Sequence, residues 1–136
     1  MKKVSIFIYF LLILLSSCSS VKINTATRKI VYPGVSSGKE SMVYEIVFKA
    51  SSEFTIDEIL LEGNSISNYS IQNINTRIYE DVGKNNFKAG DYKLIFKTSE
   101  IDDTENNNML TLLLIEKEHK RKISINVRNI NSVHRR

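Results

Sequence analysis

The pattern of apolar and polar positions changes character once, near residue 18. Before it, Val4 to Leu15 is an apolar run broken only by Ser5. After it, apolar residues recur at every second position, in short runs separated by turn-forming residues. Successive side chains of a strand point to opposite faces, so this alternation predicts strands with one face inward. Met42–Ala50 is the clearest case: Met42, Tyr44, Ile46 and Phe48 alternate with Val43, Glu45, Val47 and Lys49.

Other segments follow the same logic. Lys29–Tyr32 reads as the first extended piece, after which Pro33-Gly34 turns the chain and Ser36-Ser37-Gly38 prolongs the loop. Thr55–Glu62 reads as a strand ended by Gly63-Asn64. Asp57 to Glu62 also fits one short helical turn, but a turn signal between two extended runs favours the strand. Tyr69–Ile71 and Thr76–Tyr79 are shorter pieces, and Gly83 to Asn86 is a turn. Ser99 to Asn108 is a polar, acidic loop. Met109–Glu116 and Arg121–Ile130 form a closing hairpin around Lys117 to Lys120. Its first arm is almost continuously apolar, as a strand buried on both faces is. In its second arm Ile123, Ile125 and Val127 alternate with Ser124, Asn126 and Arg128.

No amphipathic helix is evident after the first apolar run. About seven short strands separated by turn signals predict an all-β domain, an immunoglobulin-like Greek-key β-sandwich. A small open barrel is the alternative. In Phe87-Lys88-Ala89-Gly90-Asp91-Tyr92-Lys93-Leu94-Ile95-Phe96, an apolar residue and a loop with Gly-Asp precede Tyr-x-Leu. This resembles the tyrosine corner of Greek-key sandwiches, and it implies that Tyr92 bonds back to upstream backbone. The chain has one cysteine and no tryptophan. The Cys…Trp…Cys signature of antibody-type domains is therefore missing, and the expectation concerns architecture alone.

The first segment has three parts in a defined order. Lys2 and Lys3 are a positive start, Val4 to Leu15 is an apolar centre, and Ser16 and Ser17 are small. That order is a secretory signal peptide, expected to be helical. About a dozen apolar residues fall short of the roughly 20 needed to span a bilayer. The small residues end on Cys18, and Leu15-Ser16-Ser17-Cys18 resembles the lipobox of bacterial lipoprotein precursors. The resemblance implies a diacylglycerol on the Cys18 thiol, cleavage between Ser17 and Cys18, and acylation of the new amino terminus by a chain such as palmitate. One acyl chain binds marginally, whereas two or three anchor stably. Ser19 stands where an aspartate would retain a Gram-negative lipoprotein at the inner membrane, which implies the outer membrane, facing the periplasm. With one cysteine no disulfide is available to Cys18, and no His, Asp or Glu lies nearby to complete a metal site.

The organisation read from the chain is therefore 1–17 signal peptide, 18–28 lipidated polar tether, 29–130 β-sandwich and 131–136 basic tail. Cleavage leaves about 119 residues, enough for one domain with a core that needs no disulfides. The net charge of +4 includes Lys2 and Lys3, so the mature domain is nearly balanced. That balance gives no support to a nucleic-acid partner. Abundant Asn, Ile and Lys, as in Asn85-Asn86 and Asn106-Asn107-Asn108, reflect an AT-rich genome. With the lipobox, this composition resembles that of small lipoproteins of Bacteroidota-type bacteria.

Candidate chemistry is sparse. Gly34-Val35-Ser36-Ser37-Gly38 matches G-x-S-x-G. That motif needs a strand before it, a helix after it and a parallel sheet holding a histidine. Here a strand pattern follows, and His119 and His134 lie in a turn and a tail. Glu100, Asp102, Asp103 and Glu105 alternate as calcium ligands do, without the glycine and distal glutamate of an EF-hand loop. They read as a solvated loop that keeps strand edges from pairing. Lys117, Lys120, Arg121, Lys122, Arg128, Arg135 and Arg136 make the end of the chain basic. They read as a solvated hairpin, with docking on anionic headgroups or an acidic partner as the functional alternative. Asn68-Tyr69-Ser70 fits a glycosylation pattern without meaning in a bacterial envelope. Tyr44, Phe48, Tyr92 and Phe96 alternate as core residues do. The expectation is a non-enzymatic envelope lipoprotein, without cofactor or metal, that binds membrane lipid through Cys18 and another envelope protein or polymer through its domain. An inhibitor or immunity lipoprotein, acting against a toxin or a wall-degrading enzyme, is the second reading.

Overall fold

A computed structural model describes residues 20–32, 39–83, 86–99 and 109–129, and the backbone of 133–134. The described residues form strands and turns without a helix. In chain order the strands are β1 (Val21–Tyr32), β2 (Ser41–Ala50), β3 (Thr55–Leu61), β4 (Asn64–Ser65), β5 (Tyr69–Asn73) and β6 (Tyr79–Glu80), then β7 (Gly90–Thr98), β8 (Met109–Glu116), β9 (His119–Asn126), β10 (Arg128–Asn129) and β11 (Val133–His134). One sheet has the order β10-β1-β2-β7-β5-β6, with β11 also paired to β1; the other has the order β4-β3-β8-β9. The fold is all-β and sandwich-like.

The core lies between the sheets, on the faces that the alternating pattern marks. In β2, Met42, Tyr44, Ile46, Phe48 and Ala50 are buried; in β7, Tyr92, Leu94 and Phe96. The second sheet answers with Ile59, Leu110, Leu112, Leu114 and Ile125. Each such side chain contributes about 1.5–3 kcal/mol relative to exposure. Ile59 pairs with Leu112, and Leu61 with Leu110, so register holds these side chains on the inner face. Two bulges keep that phase. In β1 the register shifts between Ile23 and Thr25, and in β3 between Ile56 and Glu58. The extra residues, Asn24 and Asp57, are exposed.

An aromatic cluster ties the sheets at the end where β1 begins. Phe54 meets Phe48, Phe87 and Tyr92 with ring centroids 5.6, 5.3 and 5.3 Å apart. Phe54 and Phe87 also form an isolated bridge with two backbone hydrogen bonds of 3.0 and 2.7 Å. These links close the segments before β3 and β7 over the core.

Three local expectations are corrected. The polar stretch Val21 to Arg28, read as tether, is most of β1 and pairs with β2 from Val21 to Val31. Its alternation was hidden by the bulge at Asn24 and by Arg28, which is buried although charged. Arg28 is accommodated because its Nε donates to Asn129 Oδ1 on β10. Second, Thr76–Tyr79 is not a strand piece. Asn73 Oδ1 accepts the N–H groups of Asn75 and Thr76, which makes a side-chain-stabilised turn, and the short strand starts at Tyr79. Third, β8 is buried on one face. Leu110, Leu112 and Leu114 are buried, while Leu113 and Ile115 are half-buried beside Lys122 and Lys120. Long lysine stems cover such apolar surface while keeping their charge in water.

Candidate functional site

The sandwich has two ends, set by the strand register. At the first, β1 begins. There Ser51 donates two hydrogen bonds to the Ser20 carbonyl, from its N–H at 2.8 Å and its hydroxyl at 3.0 Å. Val21 pairs with Ala50, and Ala50 with Gly90, so this end also holds the turns around Ser51–Glu53 and Lys88–Ala89. The β8–β9 turn, Lys117-Glu118, lies here as well, because Ile115 pairs with Thr55. Both turn residues have positive φ, 48° and 66°.

At the opposite end is a cleft of about 320 Å³ lined by Tyr44, Leu61, Glu62, Asn64, Ile66, Lys97, Thr98 and Ser99. The β3–β4 hairpin forms one wall. Its turn residues Glu62 and Gly63 both have positive φ, the geometry that lets a two-residue turn follow strand twist. The Ile66 N–H donates to the Ile59 carbonyl at 2.8 Å, which extends the hairpin pairing and holds Ile66 in the lining of the cleft. Tyr44 forms the floor and stacks on Phe96 at 4.8 Å with 7° between rings. Tyr44, Leu61 and Ile66 share the lining with the polar Glu62, Asn64, Lys97, Thr98 and Ser99, so the cleft offers charged and hydrogen-bonding groups to a polar partner. Nearby, burial raises the Tyr69 phenol above its ordinary value.

The sequence-derived sites fall unevenly on this frame. Ser17 and Cys18 lie outside the described residues, as do Gly34–Gly38, Glu100, Asp102, Asp103, Glu105, Arg135 and Arg136. Tyr44, Phe48, Tyr92 and Phe96 are core, as expected. The basic residues do not gather into one patch. Lys117 and Lys120 sit at the end where β1 begins, whereas Arg128 lies on β10 beside Thr27. Arg121 turns inward, 3.9 Å from the buried Glu116. His119 is exposed at the start of β9. Among the described residues no three His, Cys, Asp or Glu side chains gather to hold a metal ion. The cleft was not legible beforehand, because Glu62, Asn64, Lys97 and Ser99 come from two distant segments and match no local motif.

No family model, curated protein or solved structure matches the chain.

Proposed function

We propose that this chain is a lipid-anchored envelope protein with a non-catalytic binding role, held by acylated Cys18 at the outer membrane and facing the periplasm. The observation that carries the reading is the closeness of the domain to that residue. Ser20 is already tied to Ser51. Two residues from Cys18 to Ser20 span at most about 7 Å. The anchor therefore fixes which end of the domain lies at the membrane. The ten-residue β2 runs from one end to the other. At the rise of a strand, the cleft stands about 30 Å above the lipid surface, where another envelope component meets it first.

In this reading the domain is an immunoglobulin-like Greek-key sandwich. Seven strands of five residues or more support it: β1, β2, β3, β5, β7, β8 and β9. Lettered A to G in chain order, they give A-B-E-D in one sheet and C-F-G in the other, the constant-type arrangement. One departure is that Tyr92 starts the fifth of these strands, whereas the tyrosine corner of that family starts the sixth.

The inhibitor or immunity reading has its own support. The strand ends Tyr32, Ser41, Thr98 and Met109, which flank the expected loops 33–38 and 99–108 in sequence, all lie at the cleft-bearing end. An inhibitor presents loops in that way to an enzyme's active site.

A photo-crosslinking residue in place of Lys97, in cells carrying the native anchor, tests the binding role. The expected result is a defined protein or glycan adduct that disappears with Cys18→Ser. The same adduct from a Cys18→Ser chain that remains membrane-bound contradicts the anchored reading.

A further inference from the structure

The end of the sandwich nearest Cys18 exposes apolar side chains that the core does not use. Ile78 and Tyr79 are 62% and 61% exposed, and Ile74 is 37% exposed. All three belong to the β5–β6 hairpin. Its tip is pinned by Asn73, whose side chain accepts the N–H groups of Asn75 and Thr76, and by a backbone bond from Arg77 to Asn73 of 2.8 Å.

Register fixes where this hairpin stands. The Ile74 N–H donates to the Asp91 carbonyl at 2.9 Å. Asp91 pairs with Lys49, and Lys49 with Lys22. Ile74 thus lies level with the first residues of β1. The strand order β1-β2-β7-β5 sets it three strand spacings, about 14 Å, to the side. A plane through this end touches the chain just after Cys18 on one side and the hairpin tip on the other. The charges of this end suit an anionic surface. Arg77 at the tip, Lys88 in the next loop and Lys117 in the β8–β9 turn are exposed, as are Glu53 and Glu118. Lys120 reaches Asp57 at 3.9 Å. At the same level Lys22 and Lys49 are exposed and Asp91 pairs with Lys49, which leaves cations in excess of carboxylates, and basic residues beside exposed apolar ones mark a surface that lies in the headgroup region. Tyrosine favours that layer, with its ring toward the acyl chains and its hydroxyl in water. The edge strand β6 spans two residues, too short to template a strand of another chain.

We infer that the β5–β6 hairpin, through Ile74, Ile78, Tyr79 and Arg77, rests in the anionic phospholipid surface in which Cys18 is anchored. This rests on the anchored reading of Cys18. The lipid on Cys18 and the hairpin are then two contacts at separate corners of one end. Together they hold the domain upright and keep the cleft away from the membrane.

The chain contains no tryptophan, so a single introduced one reports its own position. Tyr79→Trp and Met109→Trp are made in the lipidated full-length protein. Met109 is also exposed, but it lies at the cleft-bearing end. Each variant is reconstituted into vesicles of phosphatidylethanolamine and phosphatidylglycerol with brominated acyl chains. The expected result is a blue-shifted emission at position 79 and quenching roughly twofold stronger than at position 109, as befits a side chain at the headgroup–acyl boundary. Arg77→Glu with Lys88→Glu reduces that contrast. Equal quenching at both positions in vesicle-bound protein overturns the hairpin contact and leaves the anchor standing. Failure of the protein to remain with the vesicles overturns the anchor and the hairpin contact together.

Discussion

The Tyr92 hydroxyl donates a hydrogen bond of 2.7 Å to the carbonyl of Lys88, four residues upstream. The bond crosses the start of β7 and holds the Phe87–Gly90 loop against the aromatic cluster. Tyr92→Phe keeps the ring contacts with Phe48, Phe54 and Phe87 and removes this bond. The expected loss is about 1 kcal/mol in urea unfolding. A loss near that of a ring deletion would show that the substitution also disrupts packing.

Phe54 stands at the centre of the cluster, between the sheets. Phe54→Ala is expected to cost about 3–5 kcal/mol. Because Phe54 and Phe87 share a bridge and a ring contact, the double alanine variant should cost less than the sum of the singles. Strict additivity in equilibrium unfolding would contradict a coupled cluster.

Asn129 accepts the hydrogen bond of a buried guanidinium, that of Arg28. A bond to a charged buried group carries more than a neutral one, so Asn129→Ala should destabilise by about 2 kcal/mol. Hydrogen exchange should locate the effect at β1 and β10, the parallel pair that this contact closes.

How much of this was legible beforehand depended on whether one residue's chemistry sufficed. Met42 to Ala50 alternates without interruption, and its strand was plain. The bond from Tyr92 to upstream backbone followed from the residue and its neighbours. Strand β1 was obscured by the bulge at Asn24 and by Arg28, whose burial depends on Asn129 about a hundred residues later. The β8–β9 turn was blurred because Lys117 and Glu118 occupy positive φ without glycine or asparagine to announce it. The cleft and the exposed hairpin depend on register between distant strands, which no local pattern carries.

That turn makes a prediction of its own. A two-residue turn with positive φ at both positions prefers Asn-Gly. Lys117→Asn with Glu118→Gly should raise stability by about 1 kcal/mol, read as a higher urea midpoint with an unchanged slope.

Desolvation raises the Tyr69 phenol pKa. The folded state therefore holds this proton more tightly than the unfolded chain, whose tyrosines ionise near pH 10. The contribution is fully present below about pH 10 and is lost as pH rises through the folded value. Tyr69→Phe should flatten the fall in stability above about pH 10 and leave the neutral-pH slope unchanged. An identical alkaline profile for parent and variant would count against the effect.

The central claim is that Cys18 is acylated and that the domain starts almost at the lipid. Intact-mass and peptide mass spectrometry of the protein extracted from its own membranes tests it most directly. The account predicts an amino-terminal peptide that begins at Cys18 and carries a diacylglycerol on sulfur with a further acyl chain on nitrogen. A chain that still begins at Met1, or one that begins at an unmodified Cys18, would contradict it.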